Sequence, residues 1–312
     1  MNKIIKINLH TEQNKLIPIK QRELEKLFKV SKIDPRQIIS TLKIKEIDKV
    51  IMFKVLFLAS IRKVFGKKPA LTEQAVISLL KSKEMFDKII RIDVHFQTGK
   101  LSFNLEKIHL LNLLGDLRGI IQNNQYNIKE KDIKNKIIID AGSHSGEFAI
   151  LVAFMGAKKV YAFEPVSNTA KILRANIALN RMENKIKVIE KALGNSDNFE
   201  KIFFDFTGDG GASIILKSNR KNFETIEITK LDSFVKKEKI KKVDLIKMDI
   251  EGFEAQALTG AEKTIKRDKP ILTFSAYHKP EDKRILPKTV KKLREDYKIV
   301  LNKFDEEDFY CY

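Results

Sequence analysis

The chain has 312 residues, of which 43% are hydrophobic, with 13 Gly and 7 Pro, a composition that excludes a disordered or collagen-like polymer and leaves room for two domains. No apolar run approaches the ~20 residues of a membrane span, and a single cysteine, Cys311, excludes an internal disulfide or a cysteine-based metal cluster. The formal net charge of +19 invites a nucleic-acid partner, but abundant Lys and Glu together are also a thermophile signature, and no zinc-finger, RGG or RNP-like motif accompanies the charge.

Residues 1 to about 90 read as a basic, mainly helical region. The N-terminus interleaves Lys3 and Lys6 with isoleucines and has no signal-peptide core, so a cytoplasmic protein is expected. Residues 21–30 carry Leu24, Leu27 and Phe28 at helical spacing, 47–64 form a longer amphipathic candidate, and 72–80 follow a Thr cap. Gly66-Lys67-Lys68-Pro69 reads as a linker. The positive charge is denser here: residues 1–130 hold 25 Lys and Arg against 13 Asp and Glu, the remainder 35 against 28. Such segments recognise an anionic substrate such as RNA or pack against a second domain.

A second domain is assigned to residues 91–312. Ile90–Phe96 and Leu101–Leu105 alternate on either side of Gln97-Thr98-Gly99-Lys100, the pattern of a β-hairpin. His95 and His109 lie nearby without partners at metal-ligand spacing, and no metal is expected. Residues 108–121 read as a helix, and 123–135 as a polar connector.

The chain then reaches Ile137-Ile138-Ile139-Asp140-Ala141-Gly142-Ser143-His144-Ser145-Gly146-Glu147-Phe148. Three β-branched residues indicate a strand buried on both faces. The Gly-x-x-x-Gly loop between this strand and a helix lets a ligand touch backbone N–H groups. His144 occupies the position of the second glycine in the dinucleotide pattern Gly-x-Gly-x-x-Gly, which argues against NAD. Lys159–Phe163 forms the next strand and ends in Glu164-Pro165, with a helix from Ser167. An acid roughly 20 residues past the loop accepts hydrogen bonds from both ribose hydroxyls of an adenosine.

Ile186–Ile189 gives a third strand that runs into Lys191-Ala192-Leu193-Gly194-Asn195. Residues 202–206 and 225–229 flank a segment with Gly208, Gly210 and Gly211, either a lid or a plain hairpin connection. Val243-Asp244-Leu245-Ile246-Lys247-Met248-Asp249-Ile250-Glu251-Gly252-Phe253-Glu254 brings one Lys and two or three carboxylates to a strand end and leads into a helix with Leu258, Ala261 and Ile265. Pro270–Tyr277 delivers His278 to the same edge, where it or Asp249 serves as a general base, with Lys247 and Glu251 orienting an acceptor. Residues 280–295 read as a helix, and 298–301 and 308–312 as closing strands.

Asp140-Ala141-Gly142, Phe163-Glu164-Pro165, Leu231-Asp232-Ser233-Phe234 and Ile246-Lys247-Met248-Asp249-Ile250-Glu251-Gly252, in this order, resemble the FkbM-type methyltransferases over about residues 136–278. The resemblance implies an α/β class I methyltransferase (Rossmann-like) fold with a seven-stranded, mostly parallel sheet, and S-adenosylmethionine as methyl donor. It implies cofactor contacts from Asp140, Gly142, Gly146 and Glu164 and a reacting centre at Asp249 and Glu251; His144, Pro165, Ala192 and Leu193, beside these positions, are further candidates for cofactor contact. It implies O-methylation of a hydroxyl. The absence of Asn-Pro-Pro-Tyr speaks against exocyclic base amines, and the tail position of Cys311 against pyrimidine C5 chemistry. A small molecule, sugar or lipid-linked glycan is the expected acceptor; an RNA methyltransferase and a non-catalytic binder of S-adenosylmethionine are the alternatives.

Overall fold

The computed structural model describes residues 6–10, 16–20, 89–96, 98–106, 116, 118–122, 124–204, 213–214, 222–303 and 307–312. They divide between two compact units, Asn2–Gln122 and Asn123–Tyr312.

In the first unit, β1 (Lys6–His10), β2 (Leu16–Lys20), β3 (Ile89–Phe96) and β4 (Gly99–Glu106) form an antiparallel sheet in the order β2-β1-β3-β4. The hairpin β3–β4 follows from its alternation: Ile92 faces Phe103 and Val94 faces Leu101, and all four are buried. On the other face Ser102 donates to Asp93 at 2.7 Å. Two expectations are corrected here. The described residues among the first 20, 6–10 and 16–20, are strands, because Ile7 and Leu9 alternate with Asn8 and His10 at the period of a strand, and Pro18 is tolerated in β2 because that strand is an edge among the described residues. The unit boundary falls after Gln122 instead of at residue 90, since β1 pairs with β3 from Lys6↔His95 to His10↔Arg91 and draws the hairpin into the N-terminal unit. The helices expected over 21–30, 47–64 and 72–80, and the linker at 66–69, lie outside the described residues. Of the expected helix over 108–121, the described part ends in a π-helical turn, Arg118–Gln122.

The second unit runs β5 (Ile137–Ala141), α1 (Glu147–Phe154), β6 (Lys159–Phe163), α2 (Ser167–Leu179), β7 (Ile186–Ile189), β8 (Ala192–Leu193), β9 (Asn198–Phe204), β10 (Asn222–Thr229), α3 (Leu231–Lys237), β11 (Leu245–Met248), α4 (Glu254–Gly260), α5 (Glu262–Asp268), β12 (Ile271–Ser275), α6 (Asp282–Leu293), β13 (Ile299–Lys303) and β14 (Glu307–Cys311). Seven strands form one sheet in the order β13-β14-β12-β11-β5-β6-β7. Five are parallel; β14 runs antiparallel to β12, and β13 antiparallel to β14. This is the α/β fold of class I methyltransferases. The central strands are buried on both faces, which is why they read as unbroken apolar runs: Ile138, Ile139, Leu245, Ile246, Met248, Leu272 and Phe274 have no exposed surface.

Strand order reverses at β5, whose neighbours are β6 on one side and β11 on the other. In a doubly wound sheet the crevice at the carboxyl ends of such strands receives the ligand. Two local readings change. The third strand stops at Ile189, and Ala192–Leu193 leaves it to pair with β10 in a separate sheet, β8-β10-β9. The helix expected to carry Leu258, Ala261 and Ile265 is two helices meeting at Ala261. Asp232, from the Leu-Asp-Ser-Phe stretch, supports the second: its carboxylate accepts the N–H groups of Lys263 and Thr264 at 2.8 Å each and the Thr264 hydroxyl at 2.7 Å. Among the described residues no helix is long and apolar enough to cross a membrane.

Candidate active site

The loop after β5 takes left-handed backbone angles at Gly142 (φ 74°), His144 (φ 48°) and Gly146 (φ 101°). The N–H groups of Gly142 and Ser143 both donate to the Phe163 carbonyl at 3.0 Å, which ties the loop to the end of β6. Asn176 of α2 donates to the Ser145 carbonyl at 2.8 Å, and Gly146 is the N-cap of α1.

Beneath the loop lies a buried ion pair. Lys247 and Asp140 stand opposite each other on β11 and β5, with Lys247 Nζ 3.1 Å from Asp140 Oδ1 and both side chains almost wholly buried. The same ammonium donates to the Gly142 carbonyl at 2.7 Å. Burial pushes the Asp140 carboxyl up, and Lys247 works against that shift. Both residues therefore differ from expectation. Asp140 lies outside the pocket lining, and the Lys247 amine is committed to Asp140 and the loop carbonyls instead of an acceptor. Gly146 also lies outside the lining.

Glu164 ends β6 with its carboxylate fixed by backbone: Oε2 accepts the His144 N–H and Oε1 the Val166 N–H, both at 3.0 Å. Burial raises its carboxyl, against the pull of His144 and these two hydrogen bonds. Gly142, His144, Glu164, Pro165, Ala192 and Leu193 line one pocket of about 640 Å³, open mouth included, with Phe163, Val166, Ile202, Ile214 and Phe253 as apolar wall.

Asp249 and Glu251 belong to the same lining. Asp249 accepts the Tyr126 hydroxyl on Oδ2 at 3.1 Å. Burial alone would raise its carboxyl, but Lys247, the nearby His278 and the Tyr126 hydroxyl together hold it below the usual carboxylate range. Glu251 (φ 54°) and Gly252 (φ 93°) then turn the chain through left-handed conformations. That turn is held from three sides. Ser213 donates to the Glu251 carbonyl at 2.8 Å, Lys279 to the Gly252 carbonyl at 2.6 Å, and the buried Glu254 accepts the N–H groups of Ile250 and Gly252 at 3.0 and 3.4 Å.

His278 lies behind these acids, outside the pocket lining, with only 3% of its side chain exposed. Nε2 is 3.5 Å from Asp249 Oδ1 and 3.7 Å from Glu251 Oε1; Nδ1 is 3.3 Å from Glu254 Oε1. Burial disfavours the imidazolium, but the three carboxylates outweigh it and push the group to about 9. At neutral pH it is a cation and has no lone pair with which to take a proton. Tyr126 does not stand out in the sequence, being the only aromatic in the polar connector 123–135, whereas Glu254 closes the acid-bearing stretch but its hold on the turn backbone is set by the fold. Cys311 is fully buried in β14 and its thiol is pushed up to about 12, which removes it as a nucleophile.

Residues 140–309, more than half of the chain, match the methyltransferase FkbM domain. The chain belongs to the FkbM methyltransferase family. A ribosomal protein methyltransferase of Carboxydothermus hydrogenoformans is 45% identical over 58 residues, 19% of each chain. The methyltransferase sdnD of Sordaria araneosa is 22% identical over 162 residues, 41% of this chain and 61% of that one. The crystal structure of the FkbM methyltransferase from Methylobacillus flagellatus aligns with a TM-score of 0.44 at 21% identity, covering 65% of this chain and 54% of that one. The FkbM-family chain therefore spans less than two thirds of the length of each of these proteins.

S-adenosylmethionine is the methyl donor of this family, and the residues present fit it. Each Glu164 oxygen uses one lone pair on backbone, which leaves acceptor capacity at the pocket wall for a pair of ribose hydroxyls. Val166, Ile202 and Phe253 suit a flat purine, and the acids at the Asp249 end suit a cationic sulfonium.

Proposed function

We propose that this protein transfers a methyl group from S-adenosylmethionine to a hydroxyl of a small molecule, sugar or lipid-linked glycan, with Asp249 as the proton acceptor. The observation that carries this reading is the place of Asp249 in the pocket lining, oriented by the Tyr126 hydroxyl, with Lys247 and His278 nearby holding its carboxyl below the usual range. The bound cofactor supplies an electrophilic methyl on a positively charged sulfur. Asp249 accepts a hydrogen bond from the acceptor hydroxyl and aims its oxygen lone pair. A hydroxyl that gives its lone pair to a methyl carbon would become strongly acidic, so the weakly basic Asp249 carboxylate would be sufficient to take its proton. Glu251, two residues on, holds the acceptor beside Asp249. Lys247 braces the glycine loop.

Calorimetric titration with S-adenosylhomocysteine, run beside NAD and ATP, tests the cofactor. Selective binding is expected, weakened about 10- to 100-fold in Glu164→Gln, the worth of a hydrogen bond to a charged group. Preference for NAD or ATP would overturn the reading. An acceptor screen then uses Asp249→Asn, which is expected to bind the cofactor and lose turnover; full turnover would remove Asp249 from its role.

An RNA acceptor is the second reading, favoured by the excess of Lys and Arg over acids in residues 1–130. It requires RNA affinity that falls steeply with salt. Absence of binding at low salt excludes it.

A further inference from the structure

The acids of the pocket sit on a turn that is costly to hold. Glu251 adopts φ 54° without being glycine, Gly252 follows at φ 93°, and Asp249, Glu251 and Glu254 crowd three carboxylates around one short segment. We propose that Glu254 and His278 act as a positioning couple, in which a buried imidazolium anchored by Glu254 holds Asp249 and Glu251 in place at the pocket. What the two acids do there rests on the methyltransferase reading; the couple itself does not.

The geometry assigns each partner a distinct task. Glu254 Oε1 gathers the N–H groups of Ile250 and Gly252, so it fixes the backbone of the turn from the first residue of α4. The same oxygen faces His278 Nδ1 at 3.3 Å, while Nε2 faces Asp249 and Glu251 at 3.5 and 3.7 Å. Neither ring nitrogen has a hydrogen-bond partner among the described residues, so the contacts are charge-to-charge: a neutral imidazole would set a lone pair against a carboxylate on one side or the other, whereas the cation attracts all three. The groups around it come from every neighbouring element. Asp249 follows β11, Glu251 lies in the turn, Glu254 opens α4, and the Tyr277 ring lies 4.2 Å away, centroid to centroid. Two further cations are at hand: Lys279 is engaged with the Gly252 carbonyl at 2.6 Å and stands 3.5 Å from Asp282 at the start of α6, and Lys247, which also acts on Asp249, is engaged with Asp140 and the Gly142 carbonyl. The position of His278 outside the pocket lining makes it a positioning residue that acts through Asp249 and Glu251.

The test follows two titrations by NMR on the 312-residue chain, one of ring-labelled histidines and one of carboxyl-labelled aspartates. The chain has five histidines, and His278→Gln identifies the resonance by its loss. The His278 ring is expected to stay in the imidazolium form above pH 8, and Glu254→Gln to lower its midpoint by about one unit or more, a tenfold change in proton affinity. In His278→Gln the Asp249 midpoint is expected to rise by a similar amount. Glu254→Gln keeps the imidazole in place and reads the same coupling if His278→Gln does not fold. A His278 midpoint near 6.5 that ignores Glu254→Gln, or an Asp249 titration that ignores His278, overturns the proposal. Both titrations as expected in a protein that binds no S-adenosylhomocysteine would instead end the methyltransferase reading and leave the couple standing.

Discussion

Gly142 lies so close to the carbonyl of Asp249 that a methyl group on its α-carbon would come within 1.9 Å of that oxygen. The glycine loop after β5 and the acid-bearing end of β11 are thus in direct backbone contact, reinforced by the Asp249 N–H donating to the Ala141 carbonyl at 3.1 Å. The glycine loop and the acid-bearing strand end are one packed unit.

Gly142→Ala tests that contact. The left-handed angle alone costs about 1–3 kcal/mol for a non-glycine residue, and the overlap with Asp249 adds to it. A lower melting temperature together with weaker S-adenosylhomocysteine binding is expected. Wild-type values for both would show that the loop and β11 move apart easily.

The Asp140–Lys247 pair allows a sharper experiment. Lys247→Met removes the partner of a fully buried carboxylate and is expected to cost about 3–5 kcal/mol in urea unfolding. Adding Asp140→Asn to the same chain removes the stranded charge and is expected to recover a large part of the loss. Strict additivity of the two substitutions would mean that the pair does not interact.

Asp232 belongs to the stretch that resembles the family, yet its carboxylate is engaged with the N-terminal turn of α5. Asp232→Ala is expected to cost about 1–2 kcal/mol, as loss of a helix cap does, and to leave cofactor affinity unchanged. Equilibrium unfolding and calorimetry separate the two readouts.

His278 gives the protein an alkaline limit. Its ring is held near 9 in the folded chain against 6.5 for an ordinary histidine. Below pH 6.5 it is protonated in both states, and its contribution to stability is fully present. As pH rises toward 9 the unfolded chain has released the proton that the folded chain retains, so stability falls, by about 3 kcal/mol across the window. Urea midpoints are expected to decline over this range in the native protein and to stay nearly level in His278→Gln.

Features carried by contiguous residues are legible in the sequence alone. The isoleucine run of β5, the glycine loop and Glu164 each declare themselves locally, because a strand buried on both faces, a left-handed turn and a strand-end acid leave marks within a few positions. The alternation of β1 is equally local, but the helical spacing further along outweighs it and turns the reading of the N-terminus toward helix. The roles of Lys247, His278 and Tyr126 are hidden for a different reason. Lys247 meets Asp140, 107 positions earlier, only because β11 lies beside β5; Tyr126 reaches Asp249 across 123 positions; and His278 meets Glu254 only once β12 and α4 converge on the same turn. Sequence by itself determined the class of fold and the cofactor it serves. Sheet order decided which charges face each other, and a buried charge takes its ionisation from its neighbours in space.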